Sequence, residues 1–253
     1  MLNLAFVGWG HSVHTHRWLG WFQRRGHKVH LLTDHPQEIP GVTVHDLGIV
    51  PDIRPRLARY KTLDFDIEIV SLFKTVRRIK SLLGKIQPHV LHLHTLYYPS
   101  YLGAFTGYRP LVVMPWNGDI IWSPRRSILH RWSVKFALKR ADLVLTNGSV
   151  MHQYIRNIVG RKKHLETRTG IDLNQFYPRE KDRKLLGELG LDGCPVVLST
   201  RSLGDFYNID TIIEGIPHVL KEVPQAKFVF TWHAGDDLPK IKRLVETLGV
   251  QDA

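Results

Sequence analysis

Cysteine is nearly absent from this chain of 253 residues. Cys194 stands alone, so no internal disulfide forms and a reducing compartment fits. Long apolar runs are missing too. No stretch of eighteen or more residues is free of charge and proline, which excludes a membrane-spanning helix of ordinary length. The opening MLNLAFVGWGH lacks a basic leader and turns into a glycine loop too early for a signal peptide. Internal repeats and low-complexity tracts are also lacking. These absences point to a folded protein of the cytosol. Acidic residues are scarce in the first two thirds: residues 1–178 carry 25 Lys+Arg against 11 Asp+Glu, a balance of +14, and the remainder is at −2. Such asymmetry predicts two domains and an acidic partner for the first, with nucleic acid, anionic lipid and phosphorylated substrates as candidates.

What is present is an alternation of apolar runs and helical periods. Residues 2–7 form a continuous apolar run, as in a strand buried on both faces. Ser12 stands where a helix cap belongs, and His14, Trp18 and Trp21 recur at helical spacing until Gly26. Residues 27–33 read as a second strand, which completes a βαβ unit whose parallel sheet places a site at the strands' carboxyl ends. Residues 90–96, 110–114 and 141–147 read as further strands. A helix capped by Ser123 and Pro124 runs to about Arg140. The pattern loosens over residues 160–193, a connector with a short helix. A second βαβ set follows: strand PVVLST, helix NIDTIIEGIPHVLKEV, strand AKFVFTW and helix DLPKIKRLVETLG. About sixty residues make a poor domain, and the last helix lacks a following strand, so the chain reads as a truncated version of something longer. The expected organisation is α/β: residues 1–170 a Rossmann-like domain with a parallel sheet, 171–193 a connector, and 194–253 an incomplete second Rossmann-like domain.

Three chemistries compete for VGWGHSVHTHRW at residues 7–18. A dinucleotide fingerprint is favoured by Gly8, Gly10 and Asp34, but Val13 stands where a third glycine allows close helix–strand packing. A zinc site would draw on His11, His14 and His16, with His92 and His94. His14 and His16 point about 200° apart on a helix, however, and no Cys, Asp or Glu lies in the cluster. The third reading is a glycine turn that presents free amides to phosphate at a helix N-terminus, with His11 and His16 capping or lining the first turn. In VLHLHTL, His92 and His94 alternate with leucines and face one side of their strand. His92 is expected to be a buried, hydrogen-bonded structural histidine. His94, nearer the carboxyl end, is expected to be functional.

Several stretches together resemble the retaining glycosyltransferases of family 4, whose GT-B fold sets two Rossmann-like domains across a cleft. They are VHTHRWLGWFQRRGHKVHLLT, PHVLHLHT, RPLVVMPWNGDI, RADLVLTNGSVM, TGIDLNQFYP (with Thr169 where asparagine is usual) and VVLSTRSLGDFYNIDTIIEGIPHVL. The resemblance implies that Gly8 and Gly10 approach the donor diphosphate, that His14 and Arg17 are polar groups facing the cleft, and that His94 lies near the transferred sugar. Asn117 and Asp119 fall on the loop after a strand, where they would bind sugar hydroxyls or acceptor; an Asx turn with Gly118 is the structural alternative for Asp119. Arg201 matches the arginine that holds the diphosphate. Phe206, Tyr207 and Asn208 occupy the neighbourhood of a usual lysine, so Tyr207 supplies one hydrogen bond but no charge.

The implied reaction is transfer of a sugar from a nucleotide-sugar donor to an acceptor hydroxyl with retention, in the synthesis of a polysaccharide or a lipid-linked sugar, with no cofactor and no metal. No carboxylate pair at glycosidase spacing is visible. The family's glutamate-rich donor segment is not found before Ala253, so the chain as given is expected to bind nucleotide-sugar weakly and turn over little. The alternatives are an NAD(P)-dependent oxidoreductase and a non-catalytic carbohydrate or membrane-surface binding module. Lys74, Arg77, Arg78, Lys80 and Lys85 share one helical segment. Arg131, Lys135 and Lys139 form an i+4 stripe beside Trp132 and Phe136. Both are either solvated faces or a peripheral contact with anionic lipid on the inner face of a membrane. No nucleic-acid reading module is found.

Overall fold

Residues 3–7, NLAFV, have apolar side chains at every position after Asn3, so both faces of such a strand need cover. In the computed structural model, which describes residues 1–48, 69–121, 128–160, 164–168, 170–204, 207–232 and 237–253, this run is β1 (Asn3–Val7). The cap pair Ser123 and Pro124, together with Thr169 and Phe206, lie outside the described residues. The chain divides into two compact units, Met1–Gly170 and Ile171–Ala253.

In the first unit β1 is followed by α1 (Val13–Gln23), β2 (Lys28–Thr33), β3 (Thr43–Asp46), α2 (Ile69–Ile86), β4 (Val90–Leu93), a 3₁₀ segment (Ser100–Thr106), β5 (Leu111–Val113), α3 (Asn117–Ile121), α4 (Ile128–Arg140), β6 (Leu143–Thr146), α5 (Ser149–Val159) and β7 (His164–Glu166). The seven strands form one parallel sheet in the order β3-β2-β1-β4-β5-β6-β7. Side-chain alternation sorts the core. Leu4, Phe6, Val29 and Leu31 meet Leu19 of α1 on one face. Ala5, Val7, Leu91, Leu93, Leu111, Val113 and Val144 face the other way, under Ile79 and Leu83 of α2, Leu102 of the 3₁₀ segment, Val134 and Leu138 of α4, and Met151 and Ile155 of α5.

Two edge strands, β3 and β7, were not expected from the sequence. Both are short and half polar, TVHD and HLE, so neither carries an apolar run. The strand expected over residues 90–96 stops at Leu93. The His94 amide still donates to the Val7 carbonyl at 2.9 Å, but Thr95 has φ 143° and turns the chain out of the sheet.

The second unit begins at a short helix, α6 (Arg183–Glu188), whose N-cap Asp182 accepts from the Leu185 amide. It continues with β8 (Val196–Ser199), α7 (Ile209–Glu222), β9 (Lys227–Phe230) and α8 (Leu238–Leu248). β8 and β9 pair in parallel from Val196↔Lys227 to Ser199↔Phe230. Ile209, Ile213 and Ile216 of α7 pack with Ile241 of α8 and Val250. Among the described residues no helix is long and apolar enough to cross a membrane.

Candidate functional site

A parallel sheet offers a ligand crevice where neighbouring strands send their connections in opposite directions. Here that point lies between β1, which connects outward to β2, and β4, which connects toward β5 on the other side. The loops leaving these two strands carry Gly8, Gly10 and His94.

Both glycines are fixed by close approach. A Cβ on Gly8 would lie 3.3 Å from the His94 Cβ, and one on Gly10 would lie 2.0 Å from the His35 carbonyl oxygen. Their amides are not free, however. Gly8 N–H donates to the Leu32 carbonyl at 3.2 Å and Gly10 N–H to Thr33 Oγ1 at 2.9 Å, so the loop is tied to the end of β2. This corrects the expectation that the glycines themselves present amides to phosphate. The donors the loop can offer are those of the first turn of α1, which by helix geometry lack intrahelical partners. Ser12 holds the N-cap position with extended backbone, but its side chain makes no capping bond, and no acidic residue occupies the first turn. His16 Nε2 donates to the Gly10 carbonyl at 2.5 Å, which locks the turn from below.

His94 sits beside this turn with no exposed surface. Its ring is caged by Trp18 (5.6 Å between centroids), His92 (5.4 Å), Trp116 (5.2 Å, edge-on) and Phe6 (6.4 Å). Burial, then the nearby His14, depress its pKa to about 3, with the His14 backbone opposing part of that shift. The ring is therefore neutral at physiological pH. No well-formed hydrogen bond reaches either of its nitrogens among the described residues. His92 is buried and its pKa is pushed well down by the same desolvation, then by His94. Among the described residues neither of its nitrogens has a hydrogen-bond partner, in contrast to the expectation of a hydrogen-bonded structural histidine. Above His94, the exposed His14 ring stands edge-on to Trp116 at 5.1 Å.

Asp119 takes a role the sequence did not suggest. It lies in the first turn of α3, fully buried. Its Oδ2 accepts from the Leu96 amide at 2.6 Å, the Trp116 amide at 2.9 Å and the Thr95 hydroxyl at 3.0 Å. The bond back to Trp116 N–H is half of a capping box. The other two hold the residues after His94, including Thr95 in its positive-φ conformation. Neither an Asx turn with Gly118 nor an exposed sugar ligand describes this carboxyl. Burial raises its pKa to about 7, against the lowering effect of its donors.

Asn117 is exposed at the start of α3. Arg17 is exposed on α1, and its guanidinium donates to the Gly170 carbonyl. Sequence reasoning missed the aromatic wall around the turn. Trp9 stacks on Tyr97 (5.0 Å, 13°) and on His11 (5.7 Å, 17°), and its indole donates to the Tyr98 carbonyl at 3.1 Å. The doublet spacing of Tyr97 and Tyr98 after the strand was the available signal. In the second unit, exposed Arg201 follows β8 with its guanidinium 5.7 Å over the ring of Tyr207. This is within cation–π range, so the tyrosine supports the arginine through its ring. Among the described residues no three of His, Cys, Asp and Glu gather in a metal-binding arrangement.

The fold has clear relatives among solved structures. The chain aligns over its full length with 69% of a sucrose-phosphate synthase from Thermosynechococcus elongatus, at 15% identity and a TM-score of 0.73. It aligns equally fully with 68% of HepE from Anabaena, solved in complex with UDP and glucose, at 16% identity and a TM-score of 0.71. It also covers 68% of an α,α-trehalose-phosphate synthase (UDP-forming) from Burkholderia vietnamiensis with 98% of its own length, at 15% identity and a TM-score of 0.65. At these identities the likeness is one of fold, the GT-B-like α/β architecture. No curated protein matches the chain by sequence. Residues 3–148, more than half of the chain and the whole of the sheet from β1 to β6, match the glycosyl transferase 4-like model. The chain belongs to the glycosyl transferase 4-like family.

Proposed function

We propose that this protein transfers a sugar from a nucleoside-diphosphate donor to an acceptor hydroxyl with the anomeric configuration retained, the acceptor being a growing polysaccharide or a lipid-linked sugar. The observation that carries this reading is the meeting, at the switch point of the sheet, of a helix N-terminus without a side-chain cap and a buried, neutral imidazole. The first-turn amides of α1 would face a diphosphate, because helix N-termini favour anions. In the second unit Arg201, braced on Tyr207, is the proposed diphosphate ligand, its fork suiting phosphate geometry. HepE, a relative in fold, was solved with UDP and glucose.

In the reaction the bond from the anomeric carbon to the diphosphate breaks, a bond to the acceptor oxygen forms on the same face, and the acceptor proton leaves with the phosphate. Charge builds on the departing diphosphate, so its stabilisation is the largest task of the protein. His94, with a pKa depressed to about 3, is suited to neutral hydrogen bonding with a sugar hydroxyl and not to proton transfer near pH 7. His94 is fully buried, with Trp116 edge-on to its ring and His14 edge-on to Trp116. Asn117, His14 and Arg17 would line the acceptor side.

Calorimetric titration with UDP, GDP, ADP and NAD tests the reading. One nucleoside diphosphate should bind, and Arg201→Ala should weaken it on the order of ten-fold or more. Binding of NAD with none of the diphosphates would favour an oxidoreductase and overturn it.

A further inference from the structure

The two basic helices singled out in the sequence lie on the same face of the sheet, opposite α1 and His94. α2 packs there through Ile79 and Leu83, and α4 through Val134 and Leu138, with the 3₁₀ segment contributing to the same core. Their outward faces are cationic and carry no carboxylate. Lys74, Arg77, Arg78, Lys80 and Lys85 are exposed on α2, and Arg131, Lys135 and Lys139 on α4. Across residues 69–140 the only carboxylate in the sequence is Asp119, which is fully buried.

Large apolar side chains stand exposed among these cations: Phe73 at 69%, Trp132 at 54% and Ile128 at 84%. Trp132, Phe136 and Phe105 form a short ladder, with centroids 5.5 Å apart for the first pair and 4.5 Å for the second. On α4, Ile128, Arg131, Trp132, Lys135 and Lys139 fall at helical spacing on one exposed face. Trp132 packs one side on Phe136 and Phe105 and leaves about half of its surface exposed between Arg131 and Lys135. At a bilayer interface the indole and phenyl rings enter the headgroup layer while the lysines and arginines meet anionic phosphates.

We propose that this face docks the protein on an anionic lipid bilayer. The binding combines electrostatic attraction with shallow insertion of Trp132 and Phe73, and it leaves the opposite face of the sheet, covered by α1 and holding His94, away from the membrane contact. The inference stands on charge and exposure alone and does not depend on the proposed transfer reaction.

Co-sedimentation of the full chain with vesicles of neutral phosphatidylcholine, alone or mixed with phosphatidylglycerol, tests it. The protein should pellet with the anionic vesicles and remain in solution with the neutral ones. Lys135→Gln and Lys139→Gln should lower partition by about five-fold for each cation removed. Trp132→Ala should remove the blue shift of tryptophan emission on binding and the part of the binding that survives high salt. All three positions are exposed, and circular dichroism checks that each variant folds. Equal pelleting with neutral vesicles, or anionic binding that these substitutions leave unchanged, would overturn the proposal. So would binding to a random-sequence RNA that vesicles fail to displace, which would assign the cations to nucleic acid.

Discussion

At the scale of single residues, two buried titratable groups act in opposite directions. His94 has a folded pKa of about 3 and is neutral when buried, while the unfolded chain takes up a proton near 6.5. The unfolded state therefore binds more protons below that value, and the stability linked to His94 and His92 is lost as pH falls from about 6.5 toward 3. NMR of the imidazole Cε1–H groups should show two rings that do not titrate between pH 5 and 8; a shift centred near 6.5 for His94 would contradict its caged environment. Asp119 behaves inversely. Its folded pKa of about 7 exceeds the unfolded 3.8, so its contribution is fully present below 3.8 and lost as pH rises through about 7. The stability difference between the protein and Asp119→Asn, measured by urea unfolding, should shrink as pH is raised from 4 to 8. Asp119→Ala leaves three buried donors without their acceptor and should cost about 3 kcal/mol. The role of Asp119 was not legible from its neighbours, because two of its partners, Thr95 and Leu96, come from a loop more than twenty residues earlier. The side of the strand that His94 takes was legible, because alternation with leucine sets it, but nothing near it in sequence signals that Trp116 and Trp18 pack against its ring.

At the scale of elements, apolar-rich runs made β1, β2, β4, β5 and β6 readable, since strands covered on both faces carry few polar positions. The edge strand β3 was invisible for the same reason: it is covered on less of its surface and reads TVHD. What fastens β3 includes a histidine pair. His30 Nδ1 and His45 Nε2 lie 3.0 Å apart with stacked rings, an arrangement that needs one donor and one acceptor nitrogen. Both pKa values are lowered: that of His30 by burial, then His45, then Lys28, and that of His45 by burial and then Arg78. The charges that lower them, Lys28 and Arg78, are positive, and protonation of both rings breaks the hydrogen bond and sets like charges together. With folded values below 6.5, the edge loses stability as pH falls through that range. Amide exchange in β3, corrected for intrinsic rates, should accelerate between pH 7.5 and 5 relative to β1. His45→Asn should flatten that difference; identical acceleration in the variant would remove the pair from the account. The helix N-terminus of α1 illustrates a different limit. Glycine spacing located the turn, but only the fold shows that Gly8 and Gly10 donate inward to β2 and that the outward donors belong to the next turn.

At the scale of the whole molecule, part of the positive charge of residues 1–178 lies on α2 and α4 at one face of the sheet, while the α1 N-terminus and His94 lie on the other. The parallel order with its switch point between β1 and β4 is what turns scattered motifs into one candidate site. The central claim is that this point receives a nucleoside diphosphate bearing a sugar. Its most direct test is a heteronuclear NMR titration of the full chain with UDP, GDP, ADP and NAD. The account predicts that one diphosphate shifts the amides of Val13, His14 and Thr15 together with the ring signals of His94 and Trp116. It would be contradicted if every diphosphate left these signals in place, or if NAD alone moved them.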